Sequence, residues 1–441
     1  MTNAEPHRGD GDLPRAVPWR SYALITGMAV VLVALLIAAA VPFVAPEAGL
    51  EPGPLVLITG RDDSVGRQRI ELVREWNVIH KANPVQIVEL PPVADAQRSE
   101  MVARAQAGGG VDVFNLDVTW TAEFAEAGYL APIDERTVEA GDFLGRPLDS
   151  CRDADGRLWA LPFNTDLGLL YYRRDLLQRL LNRPNADPPR TWNDLQSDVE
   201  EIRRTGYRGP AYVGQFDDYE GLTVNALELV RGAGGEIVDA GGAVTAGSHL
   251  DQIETAFDRL GVLSFGLEGQ TEDESTEAFR SGGAVFMRNW PRAFLALSAT
   301  REAGQPDREI GVTTLPDGSG ILGGQNLAVS SRSERPRAAR ALVDFLTSDR
   351  SAQILFDRGG LPAARSVVFE DPEVQRRYPF AAELRAGLDD ALPRPSLVHY
   401  ARFSEAVRQP AREYANGSRR SLPPDFVARV QDGAAGRIAS D

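Results

Sequence analysis

Residues 55–90 read LVLITGRDDSVGRQRIELVREWNVIHKANPVQIVEL, and the ends of this segment differ from its middle in the spacing of apolar residues. LVLITG at 55–60 and VQIVEL at 85–90 are short apolar runs, which are typical of buried β-strands. Between them, residues 67–82 carry apolar side chains spaced three apart, which predicts one face of a helix. These side chains are Ile70, Val73, Trp76 and Ile79. The segment therefore predicts a strand, a helix and a second strand.

The same alternation continues along the chain. SEMVARAQAGG at 99–109 predicts a helix that ends at glycine, and VDVFNLD at 111–117 predicts a third strand. Further helical patterns follow residue 190, with strands predicted at 282–287 and 326–331. Strands that alternate with helices predict a parallel sheet covered by helices. The fold class is therefore α/β, with about 390 residues arranged in two lobes.

The first fifty residues predict a membrane segment that precedes this fold. Residues 22–45 contain no charged side chain, and about 20 apolar residues are enough to cross a bilayer. Three arginines precede this run and the next basic residue is Arg61, which places residues 1–21 in the cytoplasm as a short tail and the rest outside. We interpret 22–45 as a signal anchor, a single transmembrane helix, followed by a linker at 46–54.

Two alternatives for this segment stay open. A cleavable signal peptide has a shorter apolar core followed by small residues, and the alanines at 38–40 offer such a cut, after which the protein would be secreted. A buried core helix is the other alternative.

Charge and composition exclude several kinds of partner and cofactor. The net charge is -16, from 47 Lys+Arg and 63 Asp+Glu, which argues against a nucleic-acid partner and against attachment to anionic lipid by charge. Cys151 is the only cysteine, so no intramolecular disulfide can form, and it is expected to be a packed thiol. The four histidines show no metal-binding spacing, and we expect neither a metal nor another cofactor.

Polar side chains flank an apolar run in residues 162–177, PFNTDLGLLYYRRDLL. The run predicts a buried strand, and ligands of open parallel sheets bind at the ends of strands. Asn164 and Asp166 are therefore expected to reach into a cleft. The alternative is that Asp166 caps a turn.

Two further stretches place an aromatic ring beside charged or amide groups at a predicted strand end. The residues concerned are Asp117 and Trp120 in LDVTW, and Asn289, Trp290 and Arg292 in AVFMRNWPRAF. Carboxylate, amide and guanidinium groups pair with sugar hydroxyls, and a flat ring covers the apolar face of a pyranose. Three such clusters favour a carbohydrate ligand, although a tryptophan of this kind taken alone is more often a core residue.

Seven stretches between residues 112 and 400 also carry a resemblance to a known family. They are DVFNLDVTWTAEFAEAGYLAPID, LWALPFNTDLGLLYYRRDLL, PPRTWNDL, DYEGLTVNALELVRGAGGEI, AFRSGGAVFMRNWPRAF, GGQNLAVSS and ALPRPSLVHY. The chain resembles extracellular solute-binding proteins of family 1, the maltose/trehalose-type sugar-binding proteins of ABC importers. The resemblance implies two lobes with a hinge and a central cleft, which closes on a sugar. We assign 55–163 and 286–318 to lobe 1, and 164–285 and 319–441 to lobe 2.

The resemblance also implies roles for individual residues. Asp117 and Asp166 match carboxylates that accept sugar hydroxyls, Trp290 matches a stacking tryptophan, and Arg394 matches an arginine that donates to the sugar. The remaining implied contacts are the backbone of Gly324 and the cleft-lining residues Tyr219 and Glu220. With Trp120, Asn164, Arg292 and Gln325, these residues make up the predicted ligand site.

Three of these positions depart from the disaccharide pattern of the family. Asn164, Arg292 and Gln325 stand where relatives have aromatic residues, and each lost stacking contact is worth up to about 1.5 kcal/mol. The ligand is then smaller, more polar or anionic. The first loop matches poorly and offers Arg61, Asp62 and Asp63 only as candidates. The family's lipid-bearing cysteine is absent after the apolar segment, which would replace it as the anchor.

These observations predict a binding protein, not an enzyme, that delivers a mono- or oligosaccharide to the membrane permease of an ABC transporter. Two alternatives remain. An extracytoplasmic glycoside hydrolase would use Asp117 and Asp166 as an acid/base pair. A membrane-anchored sugar sensor would have the same lobes and report to a signalling partner.

Overall fold

The computed structural model describes residues 49–239, 241–267, 269–298 and 309–437. The predicted cytoplasmic tail, the signal anchor and the start of the linker lie outside the described residues. Within those ranges, no helix has both the length and the apolar character needed to cross a bilayer.

The first sheet has five strands. They are β1 (Leu55–Thr59), β2 (Val85–Glu89), β3 (Val113–Asp117), β4 (Leu161–Leu167) and β9 (Leu322–Val329), in the spatial order β2-β1-β3-β9-β4. β1 pairs in parallel with both β2 and β3, as the alternating pattern predicts. β9 runs antiparallel between β3 and β4. The helices that follow the early strands are α1 (Gln68–Ile79), α2 (Ala94–Ala107), α3 (Thr121–Glu126) and α4 (Gly145–Asp149).

Apolar periodicity explains how these elements pack. The strand residues Leu55, Leu57 and Ile58 are buried, and α1 buries Val73 and Trp76 in the same core. Each such side chain contributes about 1.5–3 kcal/mol of apolar burial. Cys151 is also buried in this core, so the expectation of a packed thiol is confirmed, and burial raises the pKa of that thiol.

The second sheet has four strands. They are β5 (Leu169–Arg173), β6 (Tyr212–Val213), β7 (Phe286–Asn289) and β8 (Ile310–Thr314), in the spatial order β6-β7-β5-β8. Its helices are α5 (Arg174–Leu181), α6 (Trp192–Arg204), α7 (Glu220–Gly232), α8 (Leu250–Leu263), α9 (Glu272–Arg280) and α10 (Arg292–Ser298). A separate core of buried side chains fills this lobe.

The later part of the chain returns to both lobes. Its helices are α11 (Pro336–Leu346), α12 (Asp349–Gly359), α13 (Pro372–Arg377), α14 (Ala381–Asp390), α15 (Tyr400–Ala415) and α16 (Phe426–Ala434). α11 and α12 pack against α1, β4 and β9 of the first lobe, whereas α15 and α16 pack with α7 and α8 of the second lobe.

Strand pairing corrects the predicted lobe boundaries in two places. Residues 286–318 were assigned to lobe 1, but β7 and β8 both pair with β5 and so belong to the second sheet. Residues 319–441 were assigned to lobe 2, but β9 inserts between β3 and β4 of the first sheet. The hydrogen-bonding partners of a strand decide its lobe, and these partners lie more than 100 residues away in sequence.

The chain crosses from the first sheet to the second at Gly168, which is the single residue between β4 and β5. A Cβ atom at this position would lie 2.2 Å from Oε1 of Glu228 and 2.8 Å from Nη2 of Arg288. Only glycine therefore lets the strand cross this close to the two charged groups.

Candidate functional site

The register of the first sheet brings three predicted site residues into one row. Gln325 on β9 lies opposite Asp117 on β3 and opposite Asn164 on β4. The Nδ2 group of Asn115 donates hydrogen bonds to Oε1 of Gln325 and to Oγ1 of Thr59. Because the Gln325 oxygen is already an acceptor there, its amide nitrogen is the group left to donate to a ligand.

A cavity of about 170 Å³ lies between this row and the second lobe. Both lobes line it. The lining residues are Arg61, Asp63, Arg69, Pro92, Ala94, Asn164, Asp166, Gln325 and Leu361 from the first lobe, and Tyr219, Glu272, Trp290 and Arg292 from the second. The cavity is therefore an interlobe site.

Asp166 lines the cavity with a carboxylate that the described protein groups satisfy only in part with hydrogen bonds. Its Oδ2 atom accepts a hydrogen bond from Nδ2 of Asn164 at 3.2 Å. Its Oδ1 atom is screened from solvent and has no hydrogen-bond partner among the described residues, and neither does Oδ1 of Asn164. Burial raises the pKa of Asp166 to about 7, while the charges of Arg292 and Arg288 act in the opposite direction. A ligand hydroxyl would supply the donor that both oxygens lack.

We expect this carboxyl to make stability depend on pH. Its pKa is higher in the folded protein, about 7, than the ordinary value of 3.8, so the folded state holds the proton more tightly. The stabilisation is then complete below pH 4 and is lost as the pH rises to 7, by about 1–3 kcal/mol for a partly exposed group. The measurement is the unfolding free energy of the wild type minus that of Asp166→Asn, between pH 4 and 8. A difference that stays constant over that range would contradict the prediction.

Trp290 is held in place by polar contacts within the second lobe. Its indole Nε1 donates to Oε1 of Glu272 at 3.2 Å, and Oη of Tyr219 donates to the other oxygen of Glu272 at 2.8 Å. The guanidinium of Arg288 covers one face of the ring at 3.9 Å from its centroid. At most one face is then left for a ligand. A Cβ atom at Gly323 would lie 3.1 Å from both Asp166 Cβ and Trp290 Cζ3, so ring and carboxylate are neighbours.

Arg288 belongs to a buried ion pair behind this ring. Its guanidinium donates to both carboxylate oxygens of Glu228, at 2.6 and 2.9 Å, and to Oε1 of Gln215 at 2.7 Å. The two charged side chains are 0% and 1% exposed. Burial raises the pKa of Glu228, and the charge of Arg288 opposes that effect.

A second charged cluster joins the lobes beside the cavity. Arg394 donates to both oxygens of Asp117, at 2.9 and 3.0 Å, and to Oε1 of Glu220 at 2.7 Å. Tyr400 and Ser404 also donate to Glu220, each at 2.6 Å. Burial raises the pKa of Glu220, which the charge of Arg394 opposes.

The predicted site residues fall into three groups. Six line the cavity: Asn164, Asp166, Tyr219, Trp290, Arg292 and Gln325. Three form the ion-pair cluster next to it: Asp117, Glu220 and Arg394. The other two, Trp120 and Gly324, are not among the lining residues. That these residues bind a ligand stays a prediction.

The structure gives packing roles to the residues outside the cavity. Trp120 is buried in the core of the first lobe. Gly324 has φ 124°, and a Cβ there would lie 2.5 Å from the carbonyl oxygen of Asn164, so glycine lets β9 approach β4 closely.

Among the three first-loop candidates, Arg61 and Asp63 line the cavity. Asp62 instead accepts hydrogen bonds from the backbone of Ser64 and Ile70 before α1.

Sequence reasoning missed four charged residues of the site: Arg69, Glu272, Asp273 and Arg288. Glu272 and Asp273 occupy the first turn of α9, after Thr271, where a capping box fixes the start of the helix. Acidic residues are common in the first turn of a helix because they interact favourably with the helix dipole. The pattern alone therefore does not indicate a binding site. Arg288 lies on β7, the strand that leads to Trp290. An arginine inside an apolar strand was the feature of the sequence that could have indicated a role in the site.

Two α/β lobes with a small polar and aromatic cavity between them define the class of hinged ligand-binding proteins. Residues 78–353 match the family model described as bacterial extracellular solute-binding protein. The chain belongs to this family, as the resemblance predicts.

Individual relatives agree with this assignment. The chain is 29% identical over 371 residues to the "Probable ABC transporter-binding protein" of Deinococcus radiodurans, covering 79% of this chain and 86% of that protein. The structure of maltose-bound MalE3 of T. maritima matches with a TM-score of 0.76 and 27% identity, over 87% of this chain and 99% of that one. The GacH receptor of Streptomyces glaucescens matches in fold, with a TM-score of 0.74 and 23% identity, over 88% of this chain and 100% of that one. The predicted two-lobe fold is thus confirmed.

Proposed function

We propose that this solute-binding protein binds a sugar in the interlobe cavity and delivers it to an ABC importer. The observation that carries the proposal is the meeting of an aromatic ring, Trp290, with acceptors that lack a donor, on Asp166 and Asn164. A sugar offers an apolar ring face to the indole and hydroxyl donors to the oxygens. Among the relatives, MalE3 of T. maritima was solved with maltose bound, and a Streptomyces coelicolor relative is named a diacetylchitobiose-binding protein.

Delivery requires that the two lobes recognise the ligand together. A ligand that touches Asp166 on the first lobe and Trp290 on the second favours the closed state, because that state alone supplies both contacts. The closed lobes would then dock on the permease. The apolar segment at 22–45 would hold the protein at the outer face of the membrane and raise its local concentration there.

The expected result of a sugar screen is a change in tryptophan emission on binding, since Trp290 lines the cavity. Binding is confirmed by calorimetry with mono- and disaccharides on the full chain. Trp290→Ala should lose about tenfold or more in affinity, because it removes the aromatic face. Trp120→Phe is the matched control, since Trp120 lies in the core, and it should bind like the wild type. A screen in which no sugar binds would refute the proposal.

The structure favours binding over glycoside hydrolysis. Asp117, one member of the alternative acid/base pair, has both carboxylate oxygens bound by Arg394 and one of them also by Thr119. A general acid or base needs a carboxylate that is free to exchange a proton. Turnover of an aryl glycoside that Asp166→Asn abolishes would overturn this conclusion.

A further inference from the structure

Three arginine–carboxylate bridges join the lobes around the cavity, and each begins at the carboxyl end of a different parallel strand. The first follows β1, where Arg61 lines the cavity and donates to Oδ2 of Asp273 on α9 at 3.0 Å. Oδ1 of Asp273 accepts from Arg292 at 3.1 Å, and Arg61 also binds Asp63 at 2.8 Å. Arg61 and Asp273 are 48% and 58% exposed, so this bridge lies at the rim.

The second bridge follows β2. Asp95 at the start of α2 accepts from Nη1 of Arg408 on α15 at 3.1 Å. Arg408 also pairs with Asp218 at 3.1 Å. Ala94 and Tyr219, the sequence neighbours of Asp95 and Asp218, line the cavity, so this bridge is one residue removed from the lining on both lobes.

The third bridge is the ion-pair cluster at the end of β3. Asp117 binds Arg394, which in turn binds Glu220. Gln325 lies opposite Asp117 in the sheet and lines the cavity, and Glu220 follows the lining residue Tyr219. Arg394 is only 3% exposed, so this bridge is the most deeply placed of the three.

We infer that the ligand is a single sugar ring, or a polyol of that size, enclosed by these three bridges. The inference rests on the proposed sugar-binding function and narrows its substrate class. The cavity of about 170 Å³ is small beside the roughly 300–1,000 Å³ of sites for drug-sized ligands. The indole of Trp290 offers at most one face, since Arg288 covers the other, so one ring is what it can stack.

A longer saccharide is excluded by charge as well as by space. Its second ring would have to displace an arginine at the boundary and leave the paired carboxylates without a partner. The protein then discriminates against the larger ligand because binding it breaks an ion pair of the protein. The contacts to the first ring need not be any weaker. The rim bridge between Arg61 and Asp273 is the easiest to open, because its side chains are the most exposed.

The test compares ligands of different length on the wild type and on a variant without the rim bridge. Calorimetry with glucose, galactose, xylose and sorbitol is compared with trehalose, maltose and maltotriose. At least one member of the first group should bind about tenfold or more tightly than every member of the second. In Arg61→Ala/Asp273→Ala, a disaccharide that contains the preferred ring should gain about tenfold in affinity.

The control is Glu277→Ala/Arg280→Ala, which removes an exposed ion pair on the same helix as Asp273 and should leave the preference unchanged. A wild type that binds a di- or trisaccharide as tightly as any single ring would overturn the size limit alone. An unchanged preference in the rim variant would overturn the role of that bridge. Binding of no sugar at all would overturn the proposed function on which the inference rests.

Discussion

Asp166→Asn is expected to lower sugar affinity by about 100-fold, because it replaces a charge-assisted acceptor with a neutral amide. Hydrogen bonds to charged groups contribute about 1.5–3 kcal/mol, and the upper part of that range corresponds to this factor. The screened Oδ1 atom has no partner among the described protein groups, so the ligand is its donor, and the change turns that bond to a charged oxygen into a bond to a neutral amide. Calorimetry with the best sugar of the screen measures the loss.

The fold should tolerate this substitution. Asparagine has the same shape, and it removes a carboxyl whose ionisation burial disfavours. We therefore expect a melting temperature equal to or above that of the wild type at pH 8. Asp175→Asn is a matched control for sugar affinity in the same stretch, since Asp175 pairs with Arg173 at the far end of β5. Loss of cooperative unfolding in Asp166→Asn would show that the carboxylate is structural.

Glu228→Gln is expected to destabilise the protein by about 3–5 kcal/mol, because it leaves the guanidinium of Arg288 buried without a counter-charge. At about 2.1 cal/mol/K of unfolding entropy per residue, this corresponds to a fall of about 4–6 °C in melting temperature for a protein of this size. Thermal unfolding followed by circular dichroism measures the shift. Tryptophan emission should change as well, since Arg288 lies against the ring of Trp290.

An exposed ion pair serves as the matched control, because it separates the effect of burial from the effect of charge. Glu277→Gln removes the same kind of partner from Arg280, but the two side chains are 57% and 39% exposed. Such pairs contribute about 0.2–1 kcal/mol, so this control should melt close to the wild type. If Glu228→Gln also melts like the wild type, the pair is not essential to folding, and the bond that Arg288 donates to Gln215 suffices to hold the guanidinium.

Local patterns predicted individual elements well. The three-residue spacing at 67–82 indicated α1, and the helical pattern after residue 190 is α6. The side chain of Thr191 accepts from the backbone of Asp194 at the start of α6. The strand predicted at 282–287 runs instead from Phe286 to Asn289. Ala284 and Val285 are buried like strand residues, but pairing with β5 begins only at Phe286.

Long-range pairing could not be predicted in the same way. Arg394 was interpreted as a donor to sugar from the family resemblance, yet its partners Asp117 and Glu220 lie 277 and 174 residues away. Nothing in the local spacing of any of these residues indicates that they meet. The lobe assignments of β7, β8 and β9 were wrong for the same reason, since each depends on a distant partner strand.

The three bridges differ in how accessible their side chains are to solvent and dissolved ions. Dissolved ions screen charges at an accessible rim far more effectively than charges withdrawn from water. Rising ionic strength therefore weakens the contact between Arg61 and Asp273, while Arg394, at 3% exposure, keeps its hold on Asp117. We therefore expect salt to loosen the rim contact before the protected pair, so that a saline environment acts on one side of the cavity first.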